Sequence, residues 1–259
     1  MATAPYKLLT FAMSHYSEKI RWTLDHANIP YHEECLTPVF HMGPALRLGG
    51  HGKTTLPVLQ TPGESIQDSA RILTWLNDHG LITSLMPPEH LAEVRAVEQR
   101  FNDIGKDVAR LLYAKSFGKA DAHIMELWTD HAPAWQARII RLAYPLIRMG
   151  FKQKLRINEA SALQAQARID LAMHWLEDRI AHGHGRRELV GKQFTVADIT
   201  AASLLAPIAC PPQHPVYGDP EYRKAMAEAT APWKERPAVA WVLATYEQHR
   251  GTLKGGVSW

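Results

Sequence analysis

The chain has 259 residues and a bulk composition typical of a globular protein. Hydrophobic residues make up 46% and charged residues 21%, which is enough apolar chain for one large domain or two ordinary ones. The net charge is only +3, and no basic run is interleaved with aromatic residues. These features argue against a nucleic-acid partner.

The cysteines and the first residues predict a cytoplasmic protein. Cys35 and Cys210 lie far apart and form no C-x-x-C motif, which argues against a dithiol redox site and suits a reducing compartment. Residues 1–6 lack the charged and apolar regions of a signal peptide, and no stretch approaches 18 consecutive apolar residues. We therefore expect neither secretion nor a membrane span.

The first eighty residues alternate between strand and helix patterns. Strands are expected at 7–11, 31–37, 56–60 and 65–67, and helices at 18–28, 42–48 and 69–79. Pro62 and Gly63, between the last two strands, are typical of a type II turn and predict an antiparallel hairpin. The order β-α-β-α-β-β-α describes a small α/β domain.

After residues 86–88, Met-Pro-Pro, the pattern becomes helical. Helices are expected at 91–115, 124–149, 163–180, 195–208 and 237–249. Pro145 should kink the second of them. We place an α/β domain at residues 1–82, a linker at 83–90 and an all-helical domain at 91–259.

Two resemblances to other kinds of site are weak. Gly52-Lys53-Thr54 resembles the end of a phosphate-binding loop, but Arg47 occupies the place of the required first glycine, and a strand follows instead of a helix. His182 and His184 flank a glycine, but no third ligand stands at a recognisable spacing. We therefore expect neither a nucleotide site nor a metal site.

Three polar segments of the first domain could hold a small peptide-like ligand. Residues 14–17 join the first strand to the first helix, whose N-terminal N–H groups and positive dipole end favour an anion. A cis bond at Leu56-Pro57 would leave the backbone groups of Leu56 free for an extended ligand. Asp68-Ser69 opens the third helix, where N–H groups can bind a carboxylate and Asp68 an ammonium group.

Each segment also has an ordinary interpretation when it is taken alone. Ser14, Ser17 and Asp68 are residue types that cap helices. Pro57 could follow a trans peptide bond, since only about one X–Pro bond in twenty is cis. The order and spacing of the three segments distinguish the two interpretations.

In that order and spacing, residues 7–80 resemble the N-terminal domain of the cytosolic glutathione transferases, a thioredoxin-fold unit. Residues 14–22 carry serine as theta- and zeta-like members do, where glutaredoxins and omega-like members carry C-P-[FY]-C. Leu56-Pro57-Val58-Leu59 resembles the family's [VL]-P-[VA]-L with its cis proline. Residues 66–72 resemble L-x-[EQD]-S-x-A-I, which binds the γ-glutamyl end of glutathione.

The helical half carries two further motifs of the family. Residues 194–199 resemble F-[ST]-x-A-D-I, in which Thr195 caps a helix and Asp198 reaches back to it. Residues 236–241 are similar to R-P-x-x-x-W, which is often found near the family's C-terminus. Thr195 and Asp198 are therefore expected to have structural roles.

The resemblance implies a serine-type, bacterial-like glutathione transferase with glutathione as co-substrate and no metal or other cofactor. It also implies a homodimer without nucleic-acid or membrane partners. Ser14 is expected to donate a hydrogen bond to the glutathione sulfur, and Ser17 and Tyr16 are the alternative donors. The expected glutathione ligands are Lys53, Thr55, Leu56, Pro57, Asp68 and Ser69. The expected electrophile site comprises His15, Tyr113, Phe117 and Trp128.

Two departures from the family pattern bear on mechanism. Asp68 stands where Glu or Gln is commoner, which shortens the side chain that would hold the glutamyl amine. Ser14 and Ser17 leave no cysteine in the segment, which argues against a mixed-disulfide mechanism. The thiolate would attack a carbon electrophile or reduce an organic hydroperoxide. The alternatives are a binding or regulatory protein of the same fold, or a specific glutathione-dependent dehalogenase or isomerase.

Overall fold

The computed structural model describes residues 5–49, 52–130, 132–183 and 187–251, together with the backbone of residues 256–257. The chain divides into two compact units. The first unit comprises Met1–Ile82, Met125–Ile147 and Thr252–Trp259, and the second Thr83–Ile124 and Arg148–Gly251. The α/β domain at residues 1–82, the linker at 83–90 and the all-helical domain at 91–259 stay predictions.

A mixed sheet forms the centre of the first unit. Its strands are β1 (Tyr6–Thr10), β2 (Tyr31–Cys35), β3 (Val58–Gln60), β4 (Ser65–Gln67) and β5 (Gly256–Val257). They lie in the order β4-β3-β1-β2-β5, with β1 parallel to β2 and antiparallel to β3. The first four strands confirm the predicted α/β arrangement. The sequence patterns did not predict β5, which pairs in parallel with β2.

Three helices alternate with these strands: α1 (His15–His26), α2 (Met42–Gly49) and α3 (Ser69–Asp78). α1 and α3 contact each other, and their apolar faces are buried, as the three- and four-residue spacing of apolar positions predicts. α2 contacts β3 and β4. The helices therefore pack against the strands, as they do in the thioredoxin-like fold.

The β3–β4 connection is the predicted hairpin, but its turn is not of type II. Gly63 does not have the positive φ that the second central residue of a type II turn requires. The Thr61 Oγ instead accepts hydrogen bonds from the N–H groups of Gly63 (3.3 Å) and Glu64 (3.1 Å). A threonine side chain thus closes the turn.

The helical elements that follow are a 3₁₀ turn at Pro88–His90, α4 (Leu91–Ser116), α5 (Asp121–Thr129), α6 (Ala134–Lys154), α7 (Glu159–Ala181), α8 (Val196–Ala209), α9 (Pro220–Thr230), a 3₁₀ turn at Ala231–Trp233, and α10 (Pro237–His249). Within the second unit, α4 packs against α7, α8 and α9, and α10 packs against α8 and α7. Val94, Phe101 and Val108 of α4 are fully buried. The helix predicted at 91–115 is confirmed as α4, and these apolar residues lie on its buried face.

The single helix predicted at 124–149 is wrong, because the structure has two helices, α5 and α6, with a break between them. Pro133 immediately precedes α6 and cannot donate the N–H that a continuous helix needs. Trp135, Leu142 and Leu146 keep the apolar spacing, yet 58%, 76% and 68% of their surfaces are exposed. The regular spacing of these apolar residues therefore indicated a helix, but it did not indicate whether that face of the helix is buried.

Helix α8 begins with the predicted capping box. The Thr195 Oγ accepts a hydrogen bond from the Ala197 N–H, and Asp198 Oδ2 accepts from the Thr195 N–H (2.8 Å) and hydroxyl (2.9 Å). Asp198 Oδ1 accepts from the Leu189 N–H at 2.8 Å. Burial raises the pKa of Asp198 to about 6, because desolvation disfavours the carboxylate more than these donors favour it.

Asp198→Asn should destabilise the protein, because either amide orientation turns an NH₂ group toward the N–H of Leu189 or of Thr195. Each donor left unpaired costs about 1–3 kcal/mol. Because the folded-state pKa of Asp198 is raised to about 6, protonation of this carboxyl group stabilises the folded protein. The stabilisation is fully present below the unfolded-state pKa of about 3.8. That contribution is lost as the pH rises through 6. The difference in melting temperature between the wild-type protein and Asp198→Asn should therefore be larger at pH 4.5 than at pH 7.5.

A gap independent of pH would contradict the raised pKa of Asp198. Thr195→Ala is the companion variant, since it removes the cap hydroxyl and leaves the carboxyl in place. It should lose about 0.5–2 kcal/mol and keep its activity per folded molecule.

Candidate functional site

Three segments leave the sheet at the same end. Leu9, Val58 and Gln67 lie side by side across β1, β3 and β4. β3 begins and β4 ends at this position, and β1 ends one residue beyond it, since β3 is antiparallel to both neighbours. The loop before α1, the Leu56–Pro57 bond and the Asp68-Ser69 turn therefore continue from adjacent strands, which are about 4.8 Å apart. The fold brings together the three segments that the sequence singled out.

The Leu56–Pro57 peptide bond is cis, as the resemblance implied. The Asp68 N–H donates to the Pro57 carbonyl at 3.2 Å, which ties the start of α3 to this proline. Lys53 and Thr55, in the loop just before, have exposed side chains. The second and third segments are thus joined through the backbone.

Gln67 holds the loop that carries Lys53 and Thr55. Its side chain is buried, and its Nε2 donates to the Lys53 carbonyl (3.0 Å) and the Thr55 carbonyl (2.8 Å). This role of Gln67 was not predicted, although Gln67 lies within the motif at residues 66–72. A polar residue on the last position of a buried strand was the available signal.

Ser14 caps α1 and retains a hydroxyl proton for a ligand. Its Oγ accepts from the Ser17 N–H at 3.2 Å, and its own N–H donates to the Phe11 carbonyl at 3.1 Å. Within the described ranges, the Ser14 O–H donates to no protein acceptor, and the side chain is partly exposed. The cap and a ligand contact are therefore compatible, because one uses a lone pair and the other the proton.

Ser17 differs from Ser14 in its surroundings. Its side chain is fully buried, and among the described residues its hydroxyl has no hydrogen-bond partner. Ser17 is therefore not the helix cap that its residue type also suggested, since Ser14 caps α1. Tyr16 is partly exposed, and its ring lies 4.8 Å from that of His15, which is buried.

Asp68 adopts a backbone conformation that is unusual for a residue other than glycine. Its φ is +92°, and such conformations cost about 1–3 kcal/mol and cluster at functional sites. Its Oδ1 accepts from the N–H groups of Ala70 (2.9 Å) and Arg71 (3.4 Å). Oδ2 has no protein partner in the described part of the chain, and the residue is exposed. The carboxylate therefore caps α3 and also faces solvent.

A family model described as the glutathione S-transferase N-terminal domain matches residues 8–79, which contain all three segments. The first domain of the chain is therefore similar to the N-terminal domain of the glutathione S-transferases. No curated protein sequence matches the chain.

Solved glutathione S-transferases resemble nearly the whole chain. The enzyme from Methylobacillus flagellatus KT with GSH bound has a TM-score of 0.59 and 17% identity over 94% of this chain and 98% of that one. The enzyme from Ceriporiopsis subvermispora in complex with glutathione has 0.61 and 17% over 94% and 97%. A maleyl pyruvate isomerase, described as a bacterial glutathione S-transferase of the zeta class, has 0.57 and 16% over 93% and 92%. At these identities the similarity shows the fold, and the predicted fold class is confirmed.

The residues that the glutathione S-transferase resemblance assigns to the electrophile site fall in both units. In the first unit, Trp128 is buried and its ring centroid lies 5.6 Å from that of Tyr144. In the second unit, Tyr113 stacks on Phe117 at 5.0 Å and lies 5.6 Å from Phe151. The structure thus groups Tyr113 with Phe117, and the electrophile site as a whole stays a prediction.

Neither a metal cluster nor a membrane span occurs in the described part of this glutathione S-transferase fold. No group of three His, Cys, Asp or Glu side chains there could hold a metal ion. His184, one of the two histidines considered from the sequence, lies outside the described residues. The helices of the described ranges are all too short or too polar to cross a bilayer.

Proposed function

We propose that the chain binds glutathione in its first unit and activates the thiol for transfer to an electrophile. The observation that carries this proposal is the convergence of the Ser14 loop, residues 53–57 and Asp68-Ser69 at one end of the sheet. The glutathione-bound enzymes among its structural neighbours support the choice of ligand.

Asp68 and Ser69 suit the glutamyl end of glutathione, which carries an ammonium and a carboxylate. The Asp68 carboxylate already occupies the N–H groups of Ala70 and Arg71. The Ser69 N–H and hydroxyl, at the first position of α3, bond no described residue and would bind the substrate carboxylate. The exposed Oδ2 of Asp68 can accept from the ammonium.

Ser14 suits the sulfur. A hydroxyl is a poor nucleophile at neutral pH, so Ser14 would act as a donor while the sulfur attacks. A hydrogen bond to a charged group contributes about 1.5–3 kcal/mol, which corresponds to about one to two pKa units. Starting from a thiol near 8.5, this brings the thiolate close to neutral pH. The N-terminal end of α1 acts in the same direction.

Calorimetric titration with glutathione, followed by assays against carbon electrophiles and organic hydroperoxides, tests the proposal. We expect saturable binding and conjugation or peroxide reduction with at least one compound. Absence of glutathione binding would overturn the proposal. Binding without turnover on any compound would favour a binding or regulatory protein, and turnover restricted to one substrate would favour a specific dehalogenase or isomerase.

Gln67→Glu should weaken glutathione binding by loosening residues 53–55. A carboxylate of the same size has no N–H, so both bonds to the Lys53 and Thr55 carbonyls are lost and a negative charge faces their oxygens. We expect the KM for glutathione to rise roughly three- to tenfold, because this corresponds to about one net hydrogen bond. Gln193→Glu is the control, since Gln193 also donates to a carbonyl, that of Ser84. An unchanged KM in Gln67→Glu would contradict the proposed role of the loop.

A cytoplasmic homodimer is the form that the resemblance supports. Neither Cys35 nor Cys210 is in a disulfide, which suits a reducing compartment. Light scattering during size-exclusion chromatography should give about twice the 29.1 kDa chain mass. The monomer mass at all micromolar concentrations would rule out the dimer.

A further inference from the structure

A buried ionic cluster lies beside the loop that carries Ser14. Arg21 of α1 and two carboxylates, Glu18 and Glu33, are buried almost completely. The Arg21 Nε donates to Glu33 Oε1 at 2.6 Å, and Nη1 lies 3.4 Å from Glu18 Oε2. The Thr10 hydroxyl donates to the same oxygen of Glu33 at 2.5 Å. Burial alone would lower the pKa of Arg21, but Glu33 and Glu18 raise it above its ordinary value, so the guanidinium stays charged.

The third arm of Arg21 reaches the backbone before α1. Its Nη2 donates to the Phe11 carbonyl at 2.8 Å and approaches the Ala12 carbonyl at 3.4 Å. The Phe11 carbonyl also accepts the N–H of Ser14 at 3.1 Å. Arg21 and Ser14 therefore share one acceptor, and an unbroken series of hydrogen bonds runs from Glu33 through Arg21 and Phe11 to Ser14.

Stability alone does not explain this arrangement. Burying an ion pair is seldom more stabilising than packing apolar residues of the same volume. The planar fork of arginine instead fixes the directions of several hydrogen bonds at once, which a lysine ammonium cannot reproduce. One nitrogen of the Arg21 fork donates a hydrogen bond to the turn that ends at Ser14.

We propose that Arg21 is a positioning residue, which holds the Phe11 carbonyl so that the Ser14 turn directs its hydroxyl at the glutathione sulfur. The proposal rests on the proposed function, because it requires Ser14 to be the thiolate donor. Arg21 acts only through the Phe11 carbonyl and the Ser14 backbone.

The alternative is that the cluster changes the thiol pKa through its electric field. Variants that keep or change the charge of the cluster distinguish this field effect from positioning. Arg21→Lys keeps the positive charge and loses the fork. Glu33→Gln keeps the side-chain shape and removes one negative charge from the cluster. A field effect therefore predicts an unchanged thiol pKa in Arg21→Lys and a lower one in Glu33→Gln. Positioning predicts a higher pKa in both variants.

The experiment is ultraviolet titration of enzyme-bound glutathione thiolate in the full-length protein, with steady-state kinetics and thermal unfolding of each variant. In Arg21→Lys we expect the thiol pKa to rise by about one unit, and kcat near neutral pH to fall about tenfold while KM for glutathione changes little. Arg236→Lys is the matched control. Arg236 binds Glu177 through two bonds of 2.9 and 2.7 Å in the second unit, so its loss should lower the melting temperature and leave the thiol pKa unchanged.

A wild-type thiol pKa in folded Arg21→Lys would overturn the positioning role and leave the proposed function intact. Absence of any bound thiolate in the wild-type protein would overturn the proposed function itself. If Arg21→Lys does not fold, Glu33→Gln decides, because a raised pKa supports positioning and an unchanged or lowered pKa overturns it.

Discussion

Ser14→Ala is expected to raise the pKa of bound glutathione by about one to two units, because it removes the hydrogen bond, worth about 1.5–3 kcal/mol, that we propose Ser14 donates to the charged sulfur. Turnover near neutral pH should fall roughly ten- to a hundredfold, since each 1.36 kcal/mol changes a rate tenfold. The measurement is ultraviolet titration of the thiolate, together with the pH dependence of kcat/KM.

Two controls separate this effect from the cap that Ser14 provides to α1. Ser14→Ala also leaves the Ser17 N–H without its acceptor, which costs about 0.5–2 kcal/mol of stability. Ser14→Thr keeps both the hydroxyl and the cap and should retain the wild-type thiol pKa. Ser17→Ala should have much less effect on that pKa, because the Ser17 hydroxyl is fully buried.

The opposite pattern would reverse the assignment. A wild-type pKa in Ser14→Ala with a raised pKa in Ser17→Ala would identify Ser17 as the donor. No change in either variant would leave Tyr16 or the backbone amides of α1 as the donors.

Asp68→Asn is expected to raise the KM for glutathione about tenfold or more, with kcat nearly unchanged. Asparagine keeps an oxygen for the Ala70 N–H and tolerates a positive φ, so the substitution removes mainly the negative charge. A hydrogen bond to a charged group contributes about 1.5–3 kcal/mol. The ammonium is remote from the sulfur, so this binding is the same in ground and transition states, and its loss raises KM and spares kcat.

Asp219→Asn is the matched control. Asp219 caps α9 with the same pair of hydrogen bonds but with an ordinary backbone conformation, since its φ is −63° and its Oδ1 accepts from the N–H groups of Glu221 (2.8 Å) and Tyr222 (3.3 Å). It should leave the KM for glutathione unchanged. Ser69→Ala should raise that KM as well. An unaltered KM in both Asp68→Asn and Ser69→Ala would refute the assignment of the glutamyl end.

Local signals made most of the fold predictable. The β-α-β-α-β-β-α order follows from turn residues and apolar periods that each span fewer than a dozen residues. The break before α6 was missed because apolar spacing continues across Pro133. α9 was missed because the proline-rich segment before it reads as loop, although Asp219-Pro220 is an N-cap followed by proline at the first helical position.

The parts of the candidate site that a single short motif encodes were predictable from the sequence. The cis bond at Leu56–Pro57 and the convergence of the three segments agree with the sequence interpretation. The contacts of Arg21 were not predictable, because they depend on the fold and on burial that no local pattern encodes. Arg21 in particular stands at a helical position where an arginine is usually solvent-exposed.

The φ of +92° at Asp68 makes this position one where folding and the proposed binding of glutathione favour different residues. Glycine would relieve a conformational cost of about 1–3 kcal/mol. It would also lose only a few tenths of a kcal/mol as an N-cap relative to aspartate. A directed-evolution library sorted for thermal stability alone should therefore enrich glycine at residue 68 and discard the carboxylate. A library sorted also for retention on immobilised glutathione should keep aspartate despite its lower melting temperature.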